Sequence, residues 1–432
     1  MRIIRPRIWP AITDSVIILM KVLLVSSKYP PEYSGSGNRA HKTYLSLQNN
    51  YGIDFQVICS SVEMGQSDKY EVDDVVVHRI VSERFRKINQ LFGKGHFRRL
   101  TNAWVYHSEY RSVMKILAKK DFDLIHVFGY SPATIAAINW SRNHSIPLVL
   151  EIVNNIINPY QYLPGTRWFK SYDLSKQSVI VAISNHLAEL CETVGLSTNV
   201  WTRPNPVDIN RFSPASFEKR KYTIKQNFSF DNSDTVIVYI AKFMKQKNHE
   251  FLLEVMKHLP ENFKLVLAGP TITASERDPG MTQDQVPEFL IRIKSMNLSD
   301  RVKVVPTFVD TAEYLSGADI FCFPAHNEAM GTPLLEALVS GTPVIANAQE
   351  SSFKEWIING ENGFLVDMSP SKWAAAITKL GKFNAQKRQE ISKSISEKVH
   401  SDTIHAQYFQ LLTELSNTPA GKTLDVKQVL SS

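Results

Sequence analysis

Two glutamates, Glu328 and Glu336, stand eight positions apart in the stretch HNEAMGTPLLEAL. Gly331 and Pro333 between them predict that a helix begins near Thr332, because proline is favoured in the first turn of a helix. Glu328 would then lie on the loop before the helix, and Glu336 about one turn inside it. Both carboxylates are therefore expected to face whatever binds at the N-terminus of this helix.

The residues around these glutamates predict a strand, a loop and a helix in the order DIFCFPA, HNEAMG and TPLLEALVSG. A helix N-terminus beyond the carboxyl end of a strand attracts an anion, typically a phosphate. Carboxylates beside a phosphate would repel it, so they are better assigned to hydroxyl groups, which donate hydrogen bonds to them. A ligand with phosphates and many hydroxyls is a nucleotide sugar.

Cations suited to a diphosphate occur in AKFMKQKNH, where Lys242 and Lys247 are five positions apart just beyond an apolar strand. Near the start of the chain, Gly35 and Gly37 in EYSGSGNR allow the backbone to approach a phosphate or sugar closely. Each signal is weak alone, since surface lysines are mostly solvated and the loop lacks the full dinucleotide fingerprint. Together they favour a diphosphate between two strand ends.

Short apolar strands alternate with helical patterns along the whole chain. The first series is KVLLVSS, FQVICSS, VVVHRIV, DLIHVFGY, IPLVLEIV, SVIVAIS and NVWTRPNP, and the second is TVIVYIAKF, FKLVLAGP, RVKVVPTF, DIFCFPA, TPVIANA and GFLVD. Such alternation predicts an α/β protein with two doubly wound, Rossmann-like domains of parallel strands. Ligands of these sheets bind beyond the carboxyl ends of the strands, so the site is expected in a cleft between the domains.

The strand series also predict domain boundaries. We expect a first domain over residues 20–206 and a second over 207–385, with a linker at about 206–234. C-terminal helices over 386–418 are expected to cross back to the first domain, followed by a flexible tail over 419–432. Residues 1–19 are expected to be a disordered extension or an early start, because MKVLLVSS opens directly on the first strand. Lys21 interrupts the apolar run, which argues against a signal peptide.

Composition limits the class of protein. A chain of 432 residues with 43% hydrophobic and 21% charged residues is typical of a soluble protein with two domains. Cys59, Cys191 and Cys322 are widely spaced, which favours a reducing compartment over a zinc site or a disulfide framework. No stretch approaches the roughly 20 apolar residues of a membrane span. The expected location is cytoplasmic.

Positive charge is concentrated between Arg79 and Lys120, a segment with eleven Lys and Arg but only two Glu. The formal net charge of the whole chain is +7. One interpretation is a solvated helical face with a few core aromatics. The other is a surface that docks on anionic lipid or a polyanionic substrate, peripherally at the inner face of a membrane. Nucleic acid is not expected, because no nucleic-acid motif accompanies the bases. The bases assigned to a membrane surface are Arg84, Arg86, Lys87, Arg98 and Arg99.

From Met20 to about Leu415 the chain resembles the retaining glycosyltransferases of family 4, which have the two-domain GT-B fold. The resemblance is carried by KVLLVSSKYPPEYSGSGNRAHKTYLSL, VAISNHLAEL, RPNPVDINRF, IAKFMKQKNHEFLLEVM, DIFCFPAHNEAMGTPLLEALVSGTPVIA and IINGENGFLVD. It implies a metal-independent hexosyltransferase that uses a nucleotide-diphosphate sugar as donor substrate and no cofactor. The implied product is a cell-surface polysaccharide or glycolipid, made on a glycan or lipid-linked acceptor.

The resemblance also implies roles for individual residues. Glu336 would hold the ribose hydroxyls, and Glu328 would contact the donor sugar and stabilise positive charge developing in its ring. Lys242 and Lys247 would bind the diphosphate and stabilise its departure; the first is more often arginine in this family. The remaining donor-binding residues are Ala329, Met330, Gly331, Thr332, Gly35, Gly37 and Asn205. For the glycines, for Asn205 and for Asp208, which matches the same segment, a purely structural role is equally open.

One departure from the family concerns the strand IPLVLEIVNN. Family members commonly place a histidine near the position of Val153, so a polar contact to the donor is missing or is supplied by Asn154 or Asn155. Asn154 and Asn155 are also predicted as acceptor-side residues, together with His126 at the end of another strand. For His126 a structural role is equally open.

Two other functions remain open on the sequence alone. One is a sugar-nucleotide epimerase or phosphorylase of the same fold. The other is a non-catalytic relative that binds glycan or membrane.

Overall fold

The computed structural model describes residues 20–61, 69–81, 97–119, 121–155, 178–273, 279–380 and 383–431. The predicted extension over residues 1–19 lies outside this part of the chain, as do Arg84, Arg86 and Lys87 of the basic segment. Arg98 and Arg99 lie in a described helix, but their side chains are outside the description.

The first half of the chain forms a sheet in the order β3-β4-β2-β1-β5-β6-β7-β8, parallel except for the antiparallel β3–β4 pair. Strands β5, β6 and β7 are buried at every residue, which agrees with their continuous apolar sequences. Its strands are β1 (Met20–Ser26), β2 (Ile53–Ser61), β3 (Lys69–Val72), β4 (Val75–Val81), β5 (Leu124–Phe128), β6 (Leu148–Ile152), β7 (Ser178–Ala182) and β8 (Val200–Thr202).

The second half forms a parallel sheet in the order β11-β10-β9-β12-β13-β14. The order reverses between β9 and β12, so the loops after these two central strands diverge and leave a crevice at their carboxyl ends. Its strands are β9 (Thr235–Ile240), β10 (Phe263–Ala268), β11 (Val302–Val305), β12 (Ile320–Phe323), β13 (Val344–Asn347) and β14 (Gly363–Val366). The prediction of two doubly wound parallel sheets is confirmed.

Helices connect the strands and cover the sheets. In the first half they are α1 (Gly35–Tyr51), α2 (Phe97–Leu117), α3 (Pro132–His144) and α4 (Asn185–Thr193). In the second half and beyond they are α5 (Phe217–Phe228), α6 (His249–Met256), α7 (Val286–Ser295), α8 (Thr311–Gly317), α9 (Thr332–Val339), α10 (Pro370–Leu380), α11 (Ala385–Val399), α12 (Ser401–Asn417) and α13 (Val426–Ser431). No described helix is both long and apolar enough to cross a membrane.

The linker predicted over residues 206–234 is wrong for much of its length, because α5 forms inside it and packs on α8 of the second half. Phe217 and Ile224 are buried on α5. They are seven residues apart, which places them on one face of the helix. Two apolar positions in a charged stretch were too weak a pattern to indicate this helix from sequence.

The C-terminal helices divide between the two halves. α11 packs on α9, and α12 packs on α1 of the first half. The flexible tail predicted over 419–432 is contradicted by α13, which packs on α12 and β8. Val426 of α13 is buried, and its amide donates to the carbonyl of Thr198. Val429 and Leu430 of the same helix also pack against this core, but they are only partly buried. The segment is too short for these few apolar residues to show a clear helical period.

Candidate active site

Helix α9 begins at Thr332, as the glycine and proline predicted. Gly331 caps it in the left-handed region, with φ of 76°, and a Cβ there would lie 2.7 Å from ring atoms of Phe323 and Phe353. Glycine is therefore required by both backbone and packing. The turn sends the loop with Glu328 out to the cleft while Glu336 stays one turn inside the helix.

Lys247 and Glu328 form an ion pair between the ammonium Nζ and the carboxylate Oε1. Both side chains are largely buried, with 19% and 12% of their surface exposed. Lys247 lies in the loop beyond β9, and its carbonyl accepts a 2.6 Å hydrogen bond from the hydroxyl of Tyr239. Because the lysine is fixed from both ends, its charge is held beside Glu328 and the N-terminus of α9. Lys242 follows β9 two residues beyond its end and is half-buried.

Glu336 is half-buried, and burial raises its pKa to about 7, while Lys42 and Arg211 oppose this shift. Its charge in turn adds to the effect of burial that raises the pKa of the Tyr33 hydroxyl. Lys42 and Tyr33 belong to the first half, so the first half of the chain lies within electrostatic reach of this glutamate. The carboxylate thus changes charge near neutral pH at the place where the two halves meet.

This raised pKa predicts a pH dependence of nucleotide binding. If Glu336 holds the ribose hydroxyls, as the family resemblance implies, its ionised carboxylate accepts hydrogen bonds from both. We then expect UDP affinity measured by calorimetry to fall by up to about tenfold from pH 8 to pH 6. Glu336→Gln should weaken UDP binding at pH 8 and remove the part of the pH dependence that comes from Glu336. Only the part that comes from titration of the nucleotide phosphate should remain. An unchanged pH dependence in the variant would contradict the role.

The same pKa makes an opposite prediction for stability. Between its ordinary 4.5 and about 7, the folded state binds more protons at Glu336 than the unfolded state does. Stability therefore falls as the pH rises through this window. Glu336→Gln should raise Tm at pH 8 but not at pH 4, which separates a binding defect from loss of the fold.

The loop before α9 has free backbone donors. Within the described residues, the amides of Ala329, Met330 and Gly331 donate to no protein acceptor. Met330 and Gly331 are buried as whole residues, and Ala329 is half-buried. Thr332 accepts a 2.7 Å hydrogen bond from the buried amide of Asn205, which ties the start of α9 to the segment after β8.

Other contacts also cross between the halves. The amide of Asn155 donates to the side-chain oxygen of Asn327 at 2.7 Å, one residue before Glu328. Tyr33 and Phe308 are exposed aromatics whose ring centroids lie 4.9 Å apart. The cleft is therefore lined by the loops of both halves, and Asn155 is the asparagine that reaches the second half next to Glu328.

Gly35 and Gly37, the two glycines predicted to contact the donor, differ in their surroundings. A Cβ on Gly37 would lie 2.3 Å from the carbonyl oxygen of Lys28, and its amide donates to the hydroxyl of Ser34. Gly37 is thus needed for packing at the start of α1. A Cβ on Gly35 would meet nothing within 4 Å, so of the two predicted donor contacts only Gly35 borders open space.

His126 is wrong as an acceptor-side contact, because its side chain is fully buried. Its Nδ1 bonds to the hydroxyl of Tyr44 at 2.7 Å, and burial lowers its pKa to about 3. Beside it, the buried Glu151 bonds to Arg39, Arg203 and Tyr408.

This ionic cluster joins α1, β6 and α12 and has a structural role. Glu151, two residues before Val153, has its bonding partners within this cluster. Asp208 likewise has local partners, since its carboxylate accepts from the amides of Asn210 and Arg211. Asn154 is half-buried.

Two facing doubly wound sheets with this cleft match solved GT-B proteins. HepE of Anabaena, solved in complex with UDP and glucose, superposes with a TM-score of 0.66 at 17% identity, covering 91% of this chain and 100% of that one. The fold is GT-B, the architecture of a large class of glycosyltransferases.

Family comparisons define the class further. The model for glycosyl transferases group 1 matches residues 220–398, and the model for glycosyltransferase family 4 matches residues 34–211. Together these matches cover most of the chain. The chain belongs to the family 4 type of glycosyltransferases.

Relatives with assigned names agree with this. A glycosyltransferase named for teichuronic acid biosynthesis, TuaC of Bacillus subtilis (strain 168), is 25% identical over 339 residues, which is 76% of this chain and 80% of the relative. The capsular polysaccharide biosynthesis glycosyltransferase CapH of Staphylococcus aureus is 23% identical over 277 residues, 62% of this chain and 71% of the relative.

Proposed function

We propose that this glycosyltransferase moves a sugar from a nucleotide-diphosphate sugar to a glycan or lipid-linked acceptor in the synthesis of a cell-surface polysaccharide or glycolipid. The observation that carries the proposal is the Lys247–Glu328 pair beside the N-terminus of α9. The names of TuaC and CapH support the polysaccharide class, and HepE with bound UDP supports a nucleotide donor.

In this proposal the second half binds the donor. Glu336 accepts hydrogen bonds from the ribose, and the diphosphate lies at the N-terminus of α9, near Lys247 and Lys242. The amides of Ala329, Met330 and Gly331 donate to the phosphates or to the sugar. Helix dipole and ammonium charge favour the same anion. Glu328 lies on the sugar side, where its carboxylate accepts from a sugar hydroxyl.

The chemistry asked of these residues is stabilisation of the leaving group. As the bond between the anomeric carbon and the phosphate oxygen breaks, negative charge grows on the diphosphate beside Lys247 and α9, while Glu328 offsets positive charge in the ring. The acceptor hydroxyl attacks the face that the diphosphate leaves and passes its proton to the departing phosphate oxygen. This gives retention without a separate protein base. With lysines supplying the positive charge, we propose that no divalent metal is required.

A panel of nucleotide sugars tests this function. The chain is incubated with UDP-, GDP-, ADP- and dTDP-sugars, and release of the nucleoside diphosphate is measured with and without EDTA. We expect one base and sugar to be used, by slow hydrolysis or by transfer to added glycan, at equal rates in both conditions. Interconversion of the sugars without diphosphate release would support an epimerase instead. Binding without turnover of any donor would support a non-catalytic relative.

For localisation we propose a cytoplasmic enzyme that associates peripherally with an anionic membrane surface, where a lipid-linked acceptor would be found. The support is the sequence alone, since the excess of Lys and Arg between Arg79 and Lys120 is interleaved with Phe85, Phe92 and Phe97. Each base near an anionic surface contributes about 1 kcal/mol, and a few such contacts with inserted aromatics suffice for reversible docking.

Liposome co-sedimentation tests the membrane proposal. Binding should rise with anionic lipid, fall with salt, and drop strongly when five bases become glutamine: Arg84, Arg86, Lys87, Arg98 and Arg99. A matched control removes five exposed lysines of the second half and α11: Lys219, Lys257, Lys294, Lys354 and Lys393. An equal loss of vesicle binding in both variants would indicate general charge attraction. Equal binding of the wild-type chain to neutral and anionic vesicles at low salt would contradict the membrane proposal.

A further inference from the structure

Glu350, in the loop after β13, bonds to the backbone that carries the Glu328 side chain. Its Oε1 accepts from the amide of Asn327 and its Oε2 accepts from the amide of Glu328, both at 2.9 Å. One carboxylate thus satisfies two successive backbone donors. Hydrogen bonds to an ionised acceptor are stronger than neutral ones, so this is a firm attachment for a loop residue.

Two neighbouring residues, one in this loop and one at the end of β13, reinforce the attachment. The Ser352 hydroxyl donates to the carbonyl of Glu328 at 3.0 Å. The fully buried amide of Asn347 donates to the carbonyl of Ala325 at 3.2 Å and to Nδ1 of His326 at 3.1 Å. The loop before α9 is therefore held, from Ala325 to Glu328, by side chains at the end of β13 and in the loop after it.

The loop needs this support because of its conformation. Asn327 lies in the left-handed region with φ of 59°, which costs free energy for any residue other than glycine. Its amide and that of Glu328 point the same way and lie outside regular secondary structure. Without the carboxylate of Glu350, both donors would lack their protein acceptor and the left-handed turn would lose these two restraints.

The two residues held in this way are the ones that meet partners across the cleft. Glu328 pairs with Lys247, and Asn327 accepts from Asn155 of the first half. Both oxygens of Glu350 are already engaged by the protein, so its contribution to a reaction passes through these neighbours. A change at Glu350 would move the acceptor oxygen of Asn327 and the carboxylate of Glu328 together.

We infer that Glu350 is a positioning residue for sugar transfer, which fixes the Glu328 carboxylate against Lys247 and the Asn327 side chain against Asn155. The inference rests on the proposed function for its effect on turnover. Its structural part, the restraint of the two amides, stands independently of the donor used.

The test is Glu350→Gln, a change of nearly equal size. The glutamine side chain has one acceptor oxygen, and its NH₂ group would face the second amide, donor against donor. We expect turnover with the donor identified in the panel to fall by about tenfold or more, UDP affinity to stay within twofold, and hydrogen exchange at the amides of Asn327 and Glu328 to accelerate. Glu361→Gln, an exposed glutamate on the connection between β13 and β14, should change none of these.

The outcomes separate the two proposals. Unchanged exchange at both amides overturns the inference, whatever the activity. Faster exchange with unchanged turnover also overturns it, because the loop is then released without consequence for the reaction. A parallel fall in UDP affinity and Tm would show general destabilisation and equally count against positioning. If the wild-type chain uses no nucleotide sugar, the proposed function fails, while faster exchange in Glu350→Gln still supports the restraint.

Discussion

Lys247→Ala is expected to lower the turnover of sugar transfer by about 10²- to 10³-fold, the usual cost of removing one preorganised group that stabilises developing negative charge. UDP affinity should fall as well, because the ammonium is proposed to contact the diphosphate before and during its departure. The variant also leaves the Glu328 carboxylate, only 12% exposed, without its partner. That carboxylate would then repel the diphosphate instead of being neutralised, which adds to the loss.

A matched control for this variant lies two residues away. Lys245 is exposed on the same turn, so Lys245→Ala keeps the loop and removes a solvated charge; its turnover should stay within twofold of wild type. Steady-state kinetics with the donor found in the panel give the comparison, and thermal unfolding checks the fold. Equal kinetics for the two variants would remove Lys247 from the reaction.

Glu328→Gln is expected to have the second large effect, with turnover reduced by at least about 10²-fold and UDP affinity retained or increased. Glutamine keeps the shape of the side chain and the proposed hydrogen bond to a sugar hydroxyl, but it removes the charge that is proposed to offset positive charge developing in the ring. It also releases Lys247 from its ion pair, so more of the ammonium charge is available to the diphosphate.

Kinetics and binding together decide this prediction. A fall in turnover at constant UDP affinity is the signature of a group that acts in the transition state. If turnover survives within a few-fold, the charge-stabilising role is wrong. If UDP affinity falls in step with turnover, Glu328 serves ground-state binding of the nucleotide. The assignment of Glu328 to the sugar and of Glu336 to the nucleotide would then be wrong.

The parts of the site that sequence predicted are those fixed by local chemistry. Gly331 and Pro333 set the start of α9 because one supplies a positive φ and the other suits the first turn of a helix. Continuous apolar runs gave the buried parallel strands and hence the edge at which ligands bind. These signals lie within a few residues of the feature they define.

What sequence missed depends on contacts between distant segments. Glu350 bonds to a loop 22 residues earlier, and Asn155 meets Asn327 at a separation of 172 residues. Nothing near Glu350 indicates this, since a glutamate in a polar loop is usually solvated. The prediction that His126 ends a strand is wrong, since it lies in the middle of β5. Its burial comes from α1, β6 and α12 packing around it, which no local pattern reveals.

The central claim is that the second half binds the donor, with Glu336 at the ribose and Lys247 at the diphosphate. A crystal structure of the chain with UDP, or with the donor found in the panel, tests it most directly. We expect both ribose hydroxyls within hydrogen-bond distance of the Glu336 carboxylate, and phosphate oxygens at the N-terminus of α9 within salt-bridge distance of the Lys247 ammonium. A nucleotide bound elsewhere, or one that leaves the Lys247–Glu328 pair and Glu336 without contact, would contradict it.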